Sequence, residues 1–145
     1  MRPIALKSIS LALIVIMMVT ACQSTQGQVS PTATVPAIDE SAVLEIATPM
    51  LENMLIALDQ KDYDTFRKNF DEKMKASATR ESFDALQSTM AEKYGAYQSI
   101  KFEQMASAQG YVNVYYSAIF EKGTLTIQLV LNQNNPKEIA GLWFR

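Results

Sequence analysis

Residues 111–131 read Tyr-Val-Asn-Val-Tyr-Tyr-Ser-Ala-Ile-Phe-Glu-Lys-Gly-Thr-Leu-Thr-Ile-Gln-Leu-Val-Leu. In the second half of this stretch Leu125, Ile127, Leu129 and Leu131 point one way, while Thr124, Thr126, Gln128 and Val130 point the other. That two-residue period marks a strand with one buried face. The first half alternates as well. Tyr116 is in phase with Val112, Val114, Ala118 and Phe120, and Tyr115 is in phase with Tyr111, Asn113, Ser117 and Ile119. Between the halves, Glu121-Lys122-Gly123 is long enough only for a turn, so Tyr111 to Phe120 and Thr124 to Leu131 form an antiparallel hairpin.

The same pattern extends outward on both sides. Toward the C-terminus, Asn132 to Lys137 reads as a turn and Glu138 to Phe144 as a further strand; toward the N-terminus, Gln109-Gly110 is a turn and Ser99 to Ser107 a strand. Four strands joined by short links make an antiparallel meander.

Before Tyr97 the apolar period lengthens to about 3.6 residues, the spacing of a helix. Val43, Ile46, Ala47, Met50, Met54, Ala57 and Leu58 form the stripe of a first helix beginning at Asp39. Pro49 either kinks it or restarts it with Thr48 as cap and Pro49 in the first turn. Asp62 caps a short second helix that buries Tyr63, Phe66 and Phe70. Thr79 caps a third, which buries Phe83, Leu86, Met90 and Tyr94 and stops at Gly95. The mixed charges of Asp71-Glu72-Lys73-Met74-Lys75 read as a solvated connection. Helices gathered ahead of an antiparallel sheet define an α+β domain over residues 39–145, with three N-terminal helices packed on one side of a curved four-stranded meander.

The first 38 residues are of another kind. Arg2 and Lys7 precede the unbroken apolar run Leu11 to Val19, which has the length of an export signal and is short for a membrane span. The run ends in Val19-Thr20-Ala21-Cys22, which resembles a prokaryotic lipobox. That resemblance implies cleavage between Ala21 and Cys22, a thioether-linked diacylglycerol on the Cys22 sulfur, and anchoring by acyl chains of the palmitate kind. Two chains anchor stably where one does not. Residues 1–21 are then a lipoprotein signal peptide, and residues 22–38 the lipidated cysteine and a linker. With Pro31 and Pro36 and few large apolar residues, the stretch from Gln23 to Ile38 lacks the surface to offset the entropy of ordering. A tether of this kind spans roughly 20 Å. The expected location is the cell envelope, with the domain outside the cytoplasm. In an envelope of two membranes, Gln23 is compatible with outer-membrane sorting.

Composition narrows the function. Removing Arg2 and Lys7 from the 13 basic residues leaves 11 against 15 acidic ones, a net charge of -4, which argues against nucleic acid as a partner. The single cysteine excludes an internal disulfide, and one thiol with no histidine argues against a metal site of the usual kind. No cofactor is implied. Without histidine the commonest acid-base catalyst is missing as well. Asp62 and Asp64 sit where they solvate a helix start, and Glu103, Glu121 and Glu138 fall at outward or turn positions. Met50, Met54 and Met90 lie on helical stripes and read as packing.

The runs Leu58-Asp59-Gln60-Lys61-Asp62-Tyr63, Phe70-Asp71-Glu72-Lys73-Met74-Lys75, Tyr94-Gly95, Phe120-Glu121-Lys122-Gly123-Thr124-Leu125 and Ile139-Ala140-Gly141-Leu142-Trp143-Phe144-Arg145, in this order and spacing, resemble the domain of unknown function family 3887 over about residues 42–145. The resemblance implies a nuclear transport factor 2-like, or cystatin-like, cone of helices on a bent sheet with a pocket at its wide end. It transfers no catalytic residue. The expectation is therefore a lipid-anchored, non-catalytic domain that binds a small apolar or amphipathic ligand or a protein partner. Tyr116 with Trp143 or Phe144 would line the pocket, and Tyr111 and Tyr115 would form a partner face. A homodimerising or structural module is the second expectation. An isomerase-like enzyme with an Asp base beside a Tyr donor is the third.

Overall fold

The computed structural model describes residues 39–145. Cys22, Ala21, the signal segment and the linker lie outside the described residues. Four helices precede four strands: α1 (Glu40–Asp59), α2 (Tyr63–Phe66), α3 (Glu72–Ser77), α4 (Arg80–Lys93), β1 (Tyr97–Ala108), β2 (Tyr111–Phe120), β3 (Gly123–Asn132) and β4 (Asn135–Phe144). The sheet is an open antiparallel meander in the order β1-β2-β3-β4. The α+β class and the four-stranded meander expected from the alternation are what the structure has.

Each helix starts on a side-chain cap that accepts from a backbone N-H left free in the first turn. Asp39 accepts from Ala42, Asp62 from Thr65, Asp71 from Met74 and Thr79 from Ser82. The helix α1 runs through Pro49 without restarting. Proline there removes the bond to the carbonyl four residues back, and Glu45 is solvent-exposed, so water can replace that donor. Gly95 ends α4 at φ 75, the left-handed conformation glycine adopts without strain.

The helix count is a correction. Residues 72–77 are a helix, not a solvated connection, because Asp71 caps them by accepting from the Met74 N-H at 2.7 Å and the helix turns Met74 toward the core. Mixed charge hid a short helix with a single apolar contact. Strand bounds also shift: β1 starts at Tyr97, β3 at Gly123 and β4 at Asn135. Gln133-Asn134 is then the whole β3-β4 turn. The β1-β2 turn is Gln109-Gly110, both at positive φ as the right-handed sheet twist favours.

The core lies between α1 and the inner sheet face. Val43, Ala47, Met50, Leu51, Met54, Leu55 and Leu58 of α1 are buried against Val112, Val114, Tyr116 and Ala118 of β2 and Leu125, Ile127, Leu129 and Leu131 of β3. These are the faces that the alternation assigned to the interior.

The register shifts twice in β1 and twice in β4, and one bulge in each strand bears on the site. In β1 the register slips between Phe102 and Gln104, so Glu103 is an extra residue and Phe102 and Met105 both face inward opposite Tyr116 and Val114. In β4 the register slips between the pairs Val130-Gly141 and Leu131-Ile139, so Ala140 is the extra residue. A bulge leaves two residues opposite one and increases the local twist. Ile139, Leu142 and Phe144 consequently face the helices, while Trp143 faces away.

Candidate functional site: a cleft under the short helices

The short helices are held to the sheet by backbone bonds. Asp71 N-H donates to the Ile139 carbonyl at 2.9 Å and Ile139 N-H donates to the Asn69 carbonyl at 2.8 Å, around a parallel bridge between Phe70 and Ile139. The chain between α2 and α3 thus adds a short fifth edge to β4. A clasp fixes the far end of α3: Tyr63 Oη donates to the Ala78 carbonyl at 2.6 Å, and Arg67 donates from Nη1 to Tyr63 Oη at 2.9 Å and from Nη2 to the Lys75 carbonyl at 3.3 Å. The Arg67 and Arg80 guanidinium carbons lie 5.1 and 5.2 Å from the centroid of the Tyr63 ring, within the range where its π face attracts a cation. Tyr63, read from the sequence as core, is in fact half-buried and used at both ends of its side chain.

Behind this clasp the helices do not close fully on the sheet. A cleft of about 310 Å³ remains between α2, α3, α4 and the end of β4, a size within the range of small-molecule sites. Its walls include Phe66, Phe70, Met74, Phe83, Leu142 and Phe144. Phe66 links the aromatic floor, with its ring centroid 5.3 Å from that of Phe70 and 5.0 Å from that of Phe83 in inclined geometries. Such pairs contribute about 0.5–1.5 kcal/mol each beyond the area they bury, so the floor is stiff. Two hydroxyls reach the wall, and both are engaged locally: Ser77 Oγ donates to the Met74 carbonyl and Ser82 Oγ to the Thr79 carbonyl. The lining has no charged side chain.

The residues singled out from the sequence are divided between the two sheet faces. Phe144 lines the cleft. Tyr116 shares that inner face but is completely buried at the centre of the sheet, where its hydroxyl meets Thr48 Oγ1 at 3.1 Å. Burial raises its phenol above the usual value of 10.0, the Thr48 bond acting against this and the Glu52 carboxylate adding to it. Tyr97 moves the same way, through burial and then Glu52. Trp143 is a correction: the Ala140 bulge puts it opposite Gln128, which faces Tyr115, so it cannot line a pocket with Tyr116. It stands 47 % exposed on the outer face, together with Tyr111 and the half-buried Tyr115.

No carboxylate lines the cleft. Asp62 caps α2, and its bonds with Thr65, first of the side chain and then of the backbone, hold its carboxyl below the usual range. Glu121 accepts from the Ala96 N-H, and Glu103 pairs with Lys101 at 3.3 Å. Among the described residues no group of three or more His, Cys, Asp or Glu is placed to hold a metal ion.

The helical stripes mark Phe66, Phe70, Phe83 and Leu86 of the lining only as core. Met74, Ala78 and Leu142 stand on no such stripe. Met74 was the one available signal, an apolar residue inside a charged run one turn after a capping Asp.

A family model described as "Protein of unknown function (DUF3887)" matches residues 52–142. The chain belongs to that family. The match starts in the middle of α1 and ends at Leu142, so it takes in α2, α3 and α4, the bridge at Ile139 and most of the cleft wall. No curated protein and no solved structure matches this DUF3887 chain.

Proposed function

We propose that this DUF3887 protein is a lipoprotein of the cell envelope, anchored through a lipid on Cys22, whose α+β domain binds a small apolar or amphipathic molecule without transforming it. The observation that carries the binding reading is the cleft: about 310 Å³ bounded by aromatic and aliphatic side chains, its only hydroxyls engaged with their own helices. Such a lining gives up its water readily to an apolar guest and offers an acid-base step no group to carry it. We propose, too, that the architecture is the cone of the nuclear transport factor 2-like superfamily. Its support is a sheet bent by bulges at Glu103 and Ala140, helices on one side only, and a cleft at one end. The sequence Val19-Thr20-Ala21-Cys22 supports the anchor.

The binding reading is tested with the full chain in vesicles and the neutral probe N-phenyl-1-naphthylamine. Saturable probe fluorescence is expected, weakened about tenfold by Phe144→Ala, the equivalent of about 1.4 kcal/mol, and unchanged by Trp143→Ala. Equal effects of the two substitutions would overturn it. For the anchor, Cys22→Ala is expected to abolish incorporation of labelled palmitate; retention of label would refute it.

A further inference from the structure

The outer sheet face carries a second cavity of about 310 Å³, a slot across β2, β3 and β4 near the β1-β2 turn. Tyr111 and Trp143 stand at its sides, Val130 and Ala140 lie between them, and Asn113 and Gln109 supply carboxamides. No charged side chain contributes to the lining.

Trp143 is unusual in how it is held. A Cβ placed on Gly141 would come within 2.4 Å of the Cη2 and Cζ3 atoms of the indole, so the ring lies down on the glycine backbone, where no other residue would admit it. Gly141 is buried beneath it while Trp143 remains 47 % exposed. One face of the ring is therefore spent on the sheet and the other presented to solvent in a set orientation. Tyr111, 42 % exposed, rises two strands away, roughly 10 Å across the sheet, and four register positions along it, roughly 13 Å, so the two residues mark the ends of an oblique slot. Between them Gln128 Nε2 donates to Asn113 Oδ1 at 2.9 Å, which fixes the Asn113 amide and leaves its Nδ2 hydrogens without an acceptor among the described residues. Gln128 Oε1 is shielded from solvent and has no donor among the described residues. Gln128 lies outside the lining of the slot, so the polar group offered to a guest there is the Asn113 amide that it orients.

We infer that this slot binds a neutral oligosaccharide whose pyranose rings carry equatorial substituents, such as a β-1,4-linked chain. Equatorial substitution leaves the axial C-H bonds of each ring in a flat apolar patch. Those weakly positive hydrogens suit the negative face of an oriented indole or phenol. Hydroxyls and acetamido groups at the ring edge meet the free amide hydrogens of Asn113 and Gln109. An anionic guest would find no cation in the lining, and a lipid chain no channel. A second copy of this chain fits less well. A stable dimer buries roughly 800 Å² on each partner, concentrated in an apolar centre. Here the remaining exposed large apolar residue of the outer face, Ile119, lies eight residues along β2 from Tyr111, or roughly 26 Å. Asn113, Ser117 and the Lys101-Glu103 pair separate the two.

The site contains the only tryptophan of the chain, so binding is read directly from its emission. The full chain is held in lauryldimethylamine oxide, which has neither sugar nor aromatic ring, and titrated with chitotetraose and with cellotetraose. A saturable change of emission with at least one tetramer is expected. Gly141→Val, which keeps the indole but lifts it off the sheet, weakens binding about tenfold or more. Tyr111→Ala alters an exposed side chain and gives the same direction of change, so a folding defect in the glycine variant leaves the test intact. The inference is overturned if neither tetramer changes the emission at millimolar concentration, or if binding survives Tyr111→Ala unchanged. It is also overturned if the emission shifts to the blue with protein concentration alone, which would assign the slot to a second copy. The naphthylamine probe reports on the other face of the sheet, so either proposal can fail without the other.

Discussion

The two faces of β4 make unlike sites from adjacent residues. Leu142 and Phe144 enter an apolar cleft whose shape depends on α2, α3 and α4, their caps and the Tyr63 clasp, while Trp143 enters a slot made by the sheet alone. The cleft is part of the core: its Phe66, Phe70 and Phe83 are also the residues that hold α2 and α4 on the sheet. The slot is laid on a sheet whose other face is already stabilised by α1. The difference teaches that binding and stability are coupled on the inner face and separable on the outer one. Substitutions can be ordered by how strongly they should test that statement.

The largest effect is expected from Phe83→Ala. Phe83 is 2 % exposed and packs on both Tyr63 and Phe66, so the loss should be about 3–5 kcal/mol by chemical denaturation, with loss of naphthylamine binding. Trp143→Ala is the matching change on the outer face and should cost about 1 kcal/mol or less while abolishing any saccharide response followed by calorimetry. If the two variants lose similar stability, the separation of the faces is wrong. Asp71→Ala removes the cap of α3 and should cost about 1 kcal/mol. Because α3 carries Met74 of the cleft wall, its sharper reading is faster amide exchange over residues 72–77 with the slot unaffected.

Tyr116 gives an effect of similar size to the Asp71 cap and adds a pH signature. Tyr116→Phe removes one hydrogen bond to Thr48 and should cost about 0.5–1.5 kcal/mol. In the wild type, the raised phenol contributes no pH dependence below its unfolded value of 10.0, where both states keep the proton. Above that value the unfolded phenol ionises first, so stability falls as pH rises toward the folded value. The variant should flatten this alkaline decline without removing it, since Tyr97 is raised in the same direction. An unchanged slope would show that Tyr116 is not buried as described.

Much of the fold was legible because β2 and β3 pair in continuous register. Every residue from Tyr111 to Phe120 has its partner from Asn132 back to Gly123, so period-two reading places each side chain on the correct face. The long stripe of α1 was equally plain, and Pro49 did not end it because its lost bond falls on the solvent side. The cleft was not legible. Its wall comes from a helix of six residues with no buried residue, α3, and its existence depends on where Asp71 and Asn69 bond to Ile139.

The alternation and the change of period determined by themselves that this chain folds as helices followed by a meander, and which faces of β2 and β3 are buried. The family likeness over the same residues was also present in the sequence. Only the tertiary structure decided the side on which Trp143 stands. A strand's side chains alternate with every residue, so the one extra residue at Ala140 reverses all that follow it. Nothing local announces that bulge. It arises where Ile139 must bond to Asn69 and Asp71 on one side and remain in register with Leu131 on the other, a constraint set by chain segments some seventy residues apart.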